Sequence, residues 1–101
     1  MSLLRCDTLE MDPARFIVQR AGRQIVLGTT EFALLELFLR NPGRTFTREE
    51  ILTQLPGTAT SGPEAVTACI HRLRVKVDVP FRVRLIHTVR GVGYRLSSSP
   101  T

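Results

Sequence analysis

The chain has 101 residues, of which 43% are hydrophobic and 23% are charged, a balance typical of one globular domain. Its apolar runs fall well short of the roughly 20 residues that span a bilayer, and its N-terminus lacks the basic and apolar segments of a secretory signal. The two cysteines form no disulfide framework, which favours reduced thiols in a cytoplasmic protein with no membrane partner.

The net charge of +5 is concentrated in one stretch of the chain. Residues 71–95 contain seven cations and one acid, a net charge of +6, whereas all other residues together sum to −1. A localised basic stripe is the electrostatic footprint of a protein that binds a polyanion. A solvated charged face would have the same composition, so charge alone does not decide between the two.

The N-terminal quarter predicts β-structure. Residues 16–18 and 25–27 are β-branched or aromatic runs, and Ala21-Gly22 between them predicts a hairpin turn. Asp12-Pro13 breaks the chain before the first run. Residues 8–11 alternate apolar and polar side chains, which predicts an earlier strand.

The first helix is expected to begin near Thr29 or Thr30 and to end near Arg40, where Asn41-Pro42-Gly43 stops it. Its side chains are apolar nearly all round. Such a helix is usually buried between layers, so we expect the N-terminal sheet on one side and other helices on the opposite side.

Two further helices are predicted. Thr47 and Glu50 form a capping box at the start of the second, which Pro56-Gly57 ends. The third starts near residues 61–64. Its apolar residues recur at helical spacing and predict a buried stripe of Val66, Ile70, Leu73 and Val77. The opposite face presents Ala65, Ala68, His71, Arg72, Val75 and Lys76.

This outward face suits a DNA groove. Small side chains such as Ala65 and Ala68 let a helix backbone approach base edges, and arginine carries the forked donor that matches guanine O6 and N7. A plain amphipathic helix with a solvated basic face is the more common structure with this pattern, so the helix alone does not establish DNA binding.

The C-terminal segment predicts a β-hairpin. Residues 84–89 and 94–96 are strand-like, and the glycines of the connecting segment 90–93 permit positive φ at the tip. The tip presents Arg90, a residue type favoured in a narrow, electronegative minor groove. Taken alone, this segment is better explained as an ordinary surface hairpin. Residues 97–101 are interpreted as a frayed tail and residues 1–4 as a linker remnant.

Together, in this order, these elements resemble a known family. From Leu27 onward the chain resembles the effector domain of OmpR/PhoB-type response regulators, through residues 31–35, 41–44, 48–52, 66–76 and 88–96. The most specific match is the run TVRGVGYRL at 88–96, which follows a helix containing IHRLRVK. The resemblance implies an α+β fold: a winged helix-turn-helix with an N-terminal antiparallel four-stranded sheet, three helices and a C-terminal β-hairpin wing, all within one domain over residues 1–101.

The resemblance also implies a function. The chain would bind double-stranded DNA sequence-specifically as the transcriptional output domain of a two-component system, with its third helix in the major groove and its wing in the minor groove. Arg72 would contact bases, Arg90 would enter the minor groove, and His71 would face a phosphate. Thr88 and Tyr94 would contact phosphates, and Arg74 matches a family arginine near the DNA. The predicted DNA-binding residues are Ala68, His71, Arg72, Arg74, Lys76, Thr88, Arg90 and Tyr94.

Two departures from the family pattern bear on structure. Gly28 stands where a threonine usually caps the first helix, and since glycine still serves as an N-cap we expect weaker capping and not a lost helix. Cys69 stands where a histidine often reaches a phosphate, so one backbone contact is expected to be missing.

The resemblance extends to partners. Members of the family commonly bind tandem direct repeats of DNA, and the loop at residues 56–62 corresponds to the one that touches RNA polymerase, although a simple spacer explains the loop as well. The receiver domain of the full-length protein, with its acidic pocket, has no counterpart in the sequence. The chain is therefore expected to be either an excised fragment or a stand-alone form.

Three other classes of function compete with this interpretation. An enzyme or a zinc protein is disfavoured, because His71 and His87 show no paired nucleophile and Cys69 with His71 lacks further ligands; we expect no catalysis, metal or cofactor. A single-strand or RNA binder needs exposed aromatic side chains, and most of the aromatics here fall in core patterns. A protein-interaction module would leave the concentrated positive charge unexplained.

Overall fold

The computed structural model describes residues 3–55 and 62–98, which form three helices and two antiparallel sheets. The first sheet has the order β1-β2-β3-β4, and its strands are β1 (Leu4–Cys6), β2 (Leu9–Asp12), β3 (Ile17–Arg20) and β4 (Arg23–Ile25). The four-stranded N-terminal sheet implied by the family resemblance is therefore confirmed.

Two of its strands are shorter or shifted relative to the prediction. Phe16 lies outside β3 because its φ of 58° is incompatible with extended backbone, and its ring stacks on Phe32 at 4.0 Å between centroids. Strand β4 ends at Ile25, so the apolar residues 26 and 27 follow the strand and do not form it. The turn between β3 and β4 is confirmed at Ala21 and Gly22, whose φ values of 52° and 80° match a two-residue hairpin turn.

The helices begin where local signals place them. Helix α1 spans Thr29–Arg40, α2 spans Arg48–Gln54 and α3 spans Pro63–Val77. The capping box of α2 is confirmed by two reciprocal bonds: the Glu50 N–H donates to Thr47 Oγ1 at 3.1 Å, and the Thr47 N–H donates to Glu50 Oε1 at 2.8 Å. The predicted stop at residues 56–57 lies outside the described residues.

The core lies between the first sheet and the helices. Helix α1 contacts both β1 and α3, as its apolar circumference predicts. The predicted stripe of α3 is confirmed, since each of its members is at most 1% exposed: Val66, Ile70, Leu73 and Val77. Burying this stripe turns the opposite face of α3 outward, which positions the candidate site.

A second, three-stranded sheet carries the wing. Its order is β5-β7-β6, with strands β5 (Thr45–Thr47), β6 (Ile86–Val89) and β7 (Gly93–Leu96). The hairpin of β6 and β7 was predicted. The pairing of β5 with β7 was not, because three residues before a helix are too few for their alternation to indicate a strand. This pairing attaches the wing to the segment that leads into α2.

The two wing glycines have different roles. Gly91 has a φ of 76° and occupies the turn that the Val92 N–H closes onto the Val89 carbonyl at 2.9 Å. Gly93 was also expected to supply positive φ, but the structure assigns it another role. A Cβ at Gly93 would lie 1.8 Å from the Phe46 carbonyl oxygen, so glycine is needed there for the close approach of β7 to β5.

A buried ion pair connects the first sheet to the wing. Arg20 and Asp78 are each 1% exposed, and their side chains pair at 3.2 Å. Arg20 also donates to the carbonyls of Val77 and Val83. The Asp78 carboxylate accepts the backbone N–H groups of Leu85 and of the adjoining Ile86, each at 3.0 Å. The start of β6 is thereby held against the end of α3.

The domain extends into both of the predicted terminal segments. Leu4 belongs to β1 and pairs with Met11 of β2. Ser97 donates its N–H to the Leu85 carbonyl at 2.8 Å, and its own carbonyl lies 2.9 Å from His87 Nε2. Backbone pairing at these two positions is part of the fold.

Candidate nucleic-acid interface

The outward face of α3 carries most of the predicted site. Ala68 and His71 are exposed, and the side chain of Arg72 is 51% exposed. Ala65 is half-buried at the first turn. Small residues near the N-terminal end of the helix and cations further along are therefore presented on one surface, as the helical spacing predicts.

Two of these cations are held by an acid that the sequence interpretation missed. Arg72 Nε donates to Glu31 Oε2 at 3.1 Å, and Lys76 Nζ donates to Glu31 Oε1 at 2.8 Å. Glu31 lies in the first turn of α1 and is only 7% exposed. Arg72 and Lys76 are therefore not isolated on a solvated face; both are tied to α1.

The carboxylate of Glu31 serves three donors at once. Besides the two cations, its Oε1 accepts the backbone N–H of Gly28 at 3.3 Å, which caps α1 and confirms that the helix forms with glycine at this position. Burial raises the pKa of Glu31, but the hydrogen bonds from Lys76, Gly28 and Arg72 outweigh burial and hold the pKa below its ordinary value. Glu31 is therefore an anion at neutral pH.

Arg74 links α3 to the wing. Its Nε donates to the Ile86 carbonyl at 3.3 Å, one terminal nitrogen donates to Thr88 Oγ1 at 2.7 Å, and the guanidinium lies 5.7 Å from the centre of the Tyr94 ring. The sequence placed Arg74 at the flank of the apolar stripe, and its half-buried position agrees with this. Its contacts fix the angle between the helix and the hairpin.

The wing presents its predicted residues to different degrees. Arg90 and Thr88 are exposed, with Arg90 next to the turn at Gly91. Tyr94 is 9% exposed, and it lies opposite Phe46 in the backbone pairing of β7 with β5. The aromatic ring of Tyr94 is therefore mainly a core group, which leaves only a small part of the side chain for contact with a ligand.

A cleft of about 400 Å³ lies between the helices and the wing. It is lined by Arg48 at the start of α2, Thr67 on α3, and Thr88 and Gly91 of the wing, among others. Arg48 and Thr67 are exposed and were not among the predicted site residues. The capping box places Arg48 at the first position of α2, but only the tertiary fold brings that position to the wing.

Cys69 is a core residue and does not reach the surface. It is 1% exposed, and burial raises the pKa of its thiol despite the nearby Arg72. A phosphate contact at this position was expected to be missing because cysteine replaces histidine; the structure adds that the side chain points inward. The exposed His71 lies on the other side of α3, so the two do not converge on a metal ion.

Two negative findings concern the described residues alone. Within residues 3–55 and 62–98, no three histidine, cysteine or carboxylate side chains are grouped so that they could hold a metal ion. In the same part of the chain, no helix combines the length and the apolar character needed to cross a membrane. The predicted loop at residues 56–62 falls outside this part except for Gly62.

Comparison with known protein families shows to which family this chain belongs. The family described as "Transcriptional regulatory protein, C terminal" matches residues 22–96. The chain belongs to this family. The match includes all three helices and the complete wing, so the family resemblance inferred from the sequence is confirmed.

Curated relatives of this transcriptional regulatory C-terminal domain are named as response regulators. MprA of Mycobacterium sp. strain KMS is 48% identical over 94 residues, which cover 91% of this chain and 40% of that protein. MprA of Mycobacterium tuberculosis strain H37Rv is 44% identical over 99 residues, which cover 96% of this chain and 43% of that protein. The chain thus spans about two fifths of the length of these relatives.

Solved structures similar to the domain confirm the winged-helix fold. The DNA-binding domain of Klebsiella pneumoniae RstA, in complex with the RstA box, has a TM-score of 0.83 and 27% identity, covering 98% of this chain and all of that one. DrrB, an OmpR/PhoB homologue from Thermotoga maritima, has a TM-score of 0.82 and 33% identity, covering 94% of this chain and 44% of that one.

Proposed function

We propose that this domain binds double-stranded DNA sequence-specifically and acts as the output domain of an OmpR/PhoB-type response regulator. Helix α3 enters the major groove, and the wing of β6 and β7 enters the adjacent minor groove. Membership of a transcriptional regulatory family makes DNA the partner, and RstA, of the same fold, is solved on its DNA box. DNA contacts are assigned to Ala68, His71, Arg72, Arg74, Lys76, Thr88, Arg90 and Tyr94, with Arg48 added from the structure.

One observation carries the proposal: two basic elements are presented side by side and joined by hydrogen bonds. The exposed face of α3 holds Arg72 and the tip of the wing holds Arg90, while Arg74 bonds the helix to the wing at Ile86 and Thr88. A helix of this kind fits the major groove, and an arginine on a narrow hairpin fits the minor groove.

The proposal is tested by separating the two arginines. Arg72→Ala should weaken binding to the preferred site and leave non-specific binding nearly unchanged, because one bidentate base contact is worth about 1–3 kcal/mol of discrimination. Arg90→Ala should weaken binding mainly where A·T-rich sequence flanks the site, since the minor groove reveals little beyond base-pair type and width. The site itself is found by selecting bound duplexes from a random pool.

Two controls separate the contribution of positive charge from the recognition of DNA sequence. Binding of the wild type should fall with salt, with a slope of log K against log salt near −4 to −5 if about five cations meet phosphates. Arg15→Ala removes one exposed cation from the turn between β2 and β3, and should change neither the discrimination between core sites nor the dependence on flanking sequence. Unchanged core discrimination in Arg72→Ala, or a flank-independent loss in Arg90→Ala, would refute the groove assignment of that element.

The wider role follows from the same kinship. We assign the domain to a cytoplasmic regulator whose receiver domain controls it, which binds tandem direct repeats and contacts RNA polymerase through the loop at 56–62. No catalytic step is assigned to it. Replacing residues 58–60 with glycines should preserve DNA affinity and reduce activated transcription; equal loss of both would mean that the loop only positions α3.

A further inference from the structure

The most unusual polar group facing the proposed DNA surface is an acid. Glu31 is 7% exposed, carries negative charge, and lies behind the cations of α3 on the neighbouring helix. A buried anion close to a polyanion reduces affinity through charge repulsion. Capping α1 accounts for an acid at this position, but the two contacts with Arg72 and Lys76 need an explanation of their own.

The geometry of the Arg72 contact supplies one. Glu31 receives the hydrogen bond from Nε, the nitrogen nearest the aliphatic stem, at 3.1 Å. A guanidinium is planar, so a bond at Nε restrains the plane of the whole group and leaves the fork of its two terminal nitrogens outside the contact with Glu31. The side chain is 51% exposed, so the fork reaches the surface of α3.

The partners of Glu31 hold its carboxylate in place. Lys76 lies one helical turn beyond Arg72 and bonds Oε1 at 2.8 Å, and the Gly28 N–H bonds the same oxygen at 3.3 Å. Oε2 is thereby directed at Arg72. A carboxylate fixed by three donors is a firm support, because moving it would break the cap of α1 as well.

We propose that Glu31 is a positioning residue for base recognition, which fixes the plane of the Arg72 guanidinium before DNA arrives. The proposal rests on the proposed function, in which Arg72 reads a base. The opposite role is a competing counter-ion, which would release Arg72 to the DNA on binding. The two roles differ in sign: a support increases discrimination between sites, whereas a competitor lowers affinity for every site.

The test compares Glu31→Gln with Glu36→Gln in this chain. Glu36 is a matched control, because it is an acid on the same helix that pairs with Arg40 at 2.9 Å and touches no cation of α3. Affinities are measured for the preferred duplex and for one changed at the base whose discrimination Arg72→Ala abolishes. We expect Glu31→Gln to lose at least about 5-fold of this ratio, the low end for one bidentate contact, while Glu36→Gln keeps it.

A second background separates positioning from general loosening of the fold. In Arg72→Ala, adding Glu31→Gln should not lower affinity for the preferred duplex, because its effect acts through Arg72. A further fall in that background would overturn the proposal. The proposal would also be overturned if Glu31→Gln kept the ratio of the two affinities, or if it raised affinity for both duplexes equally. A wild type that does not discriminate between the duplexes would refute the proposed function itself, and this proposal with it.

A measurement on the wild type needs no substitution. The Arg72 Nε–H resonance should show slow solvent exchange in the DNA-free domain and keep it in the specific complex, since the bond to Glu31 persists. Loss of that protection on binding specific DNA would mean that Arg72 leaves Glu31, which overturns the proposal even if Glu31→Gln does not fold.

Discussion

Asp78→Ala should lower the free energy of unfolding more than the alanine substitution of an exposed acid. Asp78 and Arg20 are each 1% exposed and paired at 3.2 Å, so Asp78→Ala leaves a buried guanidinium without its counter-charge. Breaking a buried pair in this way costs about 3–5 kcal/mol. The variant also removes the acceptor for the N–H groups of Leu85 and Ile86. A loss of this size is a large part of the about 5–15 kcal/mol that stabilises a domain.

The expected signal is large in a thermal melt. In a domain of this size each 1 kcal/mol shifts the melting temperature by about 4–8 °C, so Asp78→Ala should melt at least about 12 °C below the wild type. Glu36→Ala removes an exposed pair with Arg40, whose side chains are 31% and 52% exposed, and should cost less than about 0.5 kcal/mol. The loss in Arg20→Met with Asp78→Ala should be smaller than the sum of the single losses. Equal melting of Asp78→Ala and Glu36→Ala would refute the reasoning.

Three further outcomes are expected. Gly93→Ala should destabilise the domain by about 1–3 kcal/mol in chemical denaturation, because its Cβ would lie 1.8 Å from the Phe46 carbonyl oxygen; unchanged stability would show that β5 and β7 separate freely. Arg74→Lys should speed amide exchange in β6, since lysine has one nitrogen and cannot reproduce the two separate bonds to the Ile86 carbonyl and to Thr88 Oγ1; unchanged exchange would mean that the wing needs no tie to α3. Burial raises the pKa of Glu31, but its hydrogen bonds lower the pKa below the ordinary value of 4.5. The ionised side chain therefore contributes its full stabilisation above pH 4.5, and this stabilisation is lost as the pH falls through the lowered pKa. Glu31→Gln should reduce the slope of stability against pH in that acid range, and an unaltered slope would contradict this.

Local patterns in the sequence predicted the helices and their faces well. The capping box of Thr47 and Glu50, and the stops around α1, act within a few residues, so the sequence displays them directly. The buried stripe of α3 depends only on helical spacing, and it determines which side chains face outward. The surface that carries Ala68, His71 and Arg72 could therefore be inferred before any tertiary contact was known, whereas the fold class came from the family resemblance.

Contacts between distant residues could not be inferred in this way. Glu31 occupies a position where an acid is explained by capping alone, and nothing local shows that it meets Arg72, 41 residues away. An arginine at position 20 suggests a solvent-facing strand residue, yet it is almost completely buried against Asp78. Strand β5 has three residues and exists only because β7 pairs with it. In each case the partner, not the residue type, decides the role.

The polar contacts of α3 explain how helix and wing form one rigid surface. Burial of the apolar stripe determines which face of α3 points outward, but apolar contacts are non-directional and do not fix the angle of the wing against the helix. Three ties leave the C-terminal half of the helix or its cap: Arg72 bonds Glu31 on α1, Arg74 bonds Thr88 on the wing, and Asp78 bonds the start of β6. The first reaches α1 and the other two reach strand β6, and together they define the orientation that burial leaves open. We expect a change at one of these ties to alter the orientation of the wing relative to the helix, so that residues outside the proposed DNA contacts, such as Glu31 and Asp78, would influence DNA discrimination.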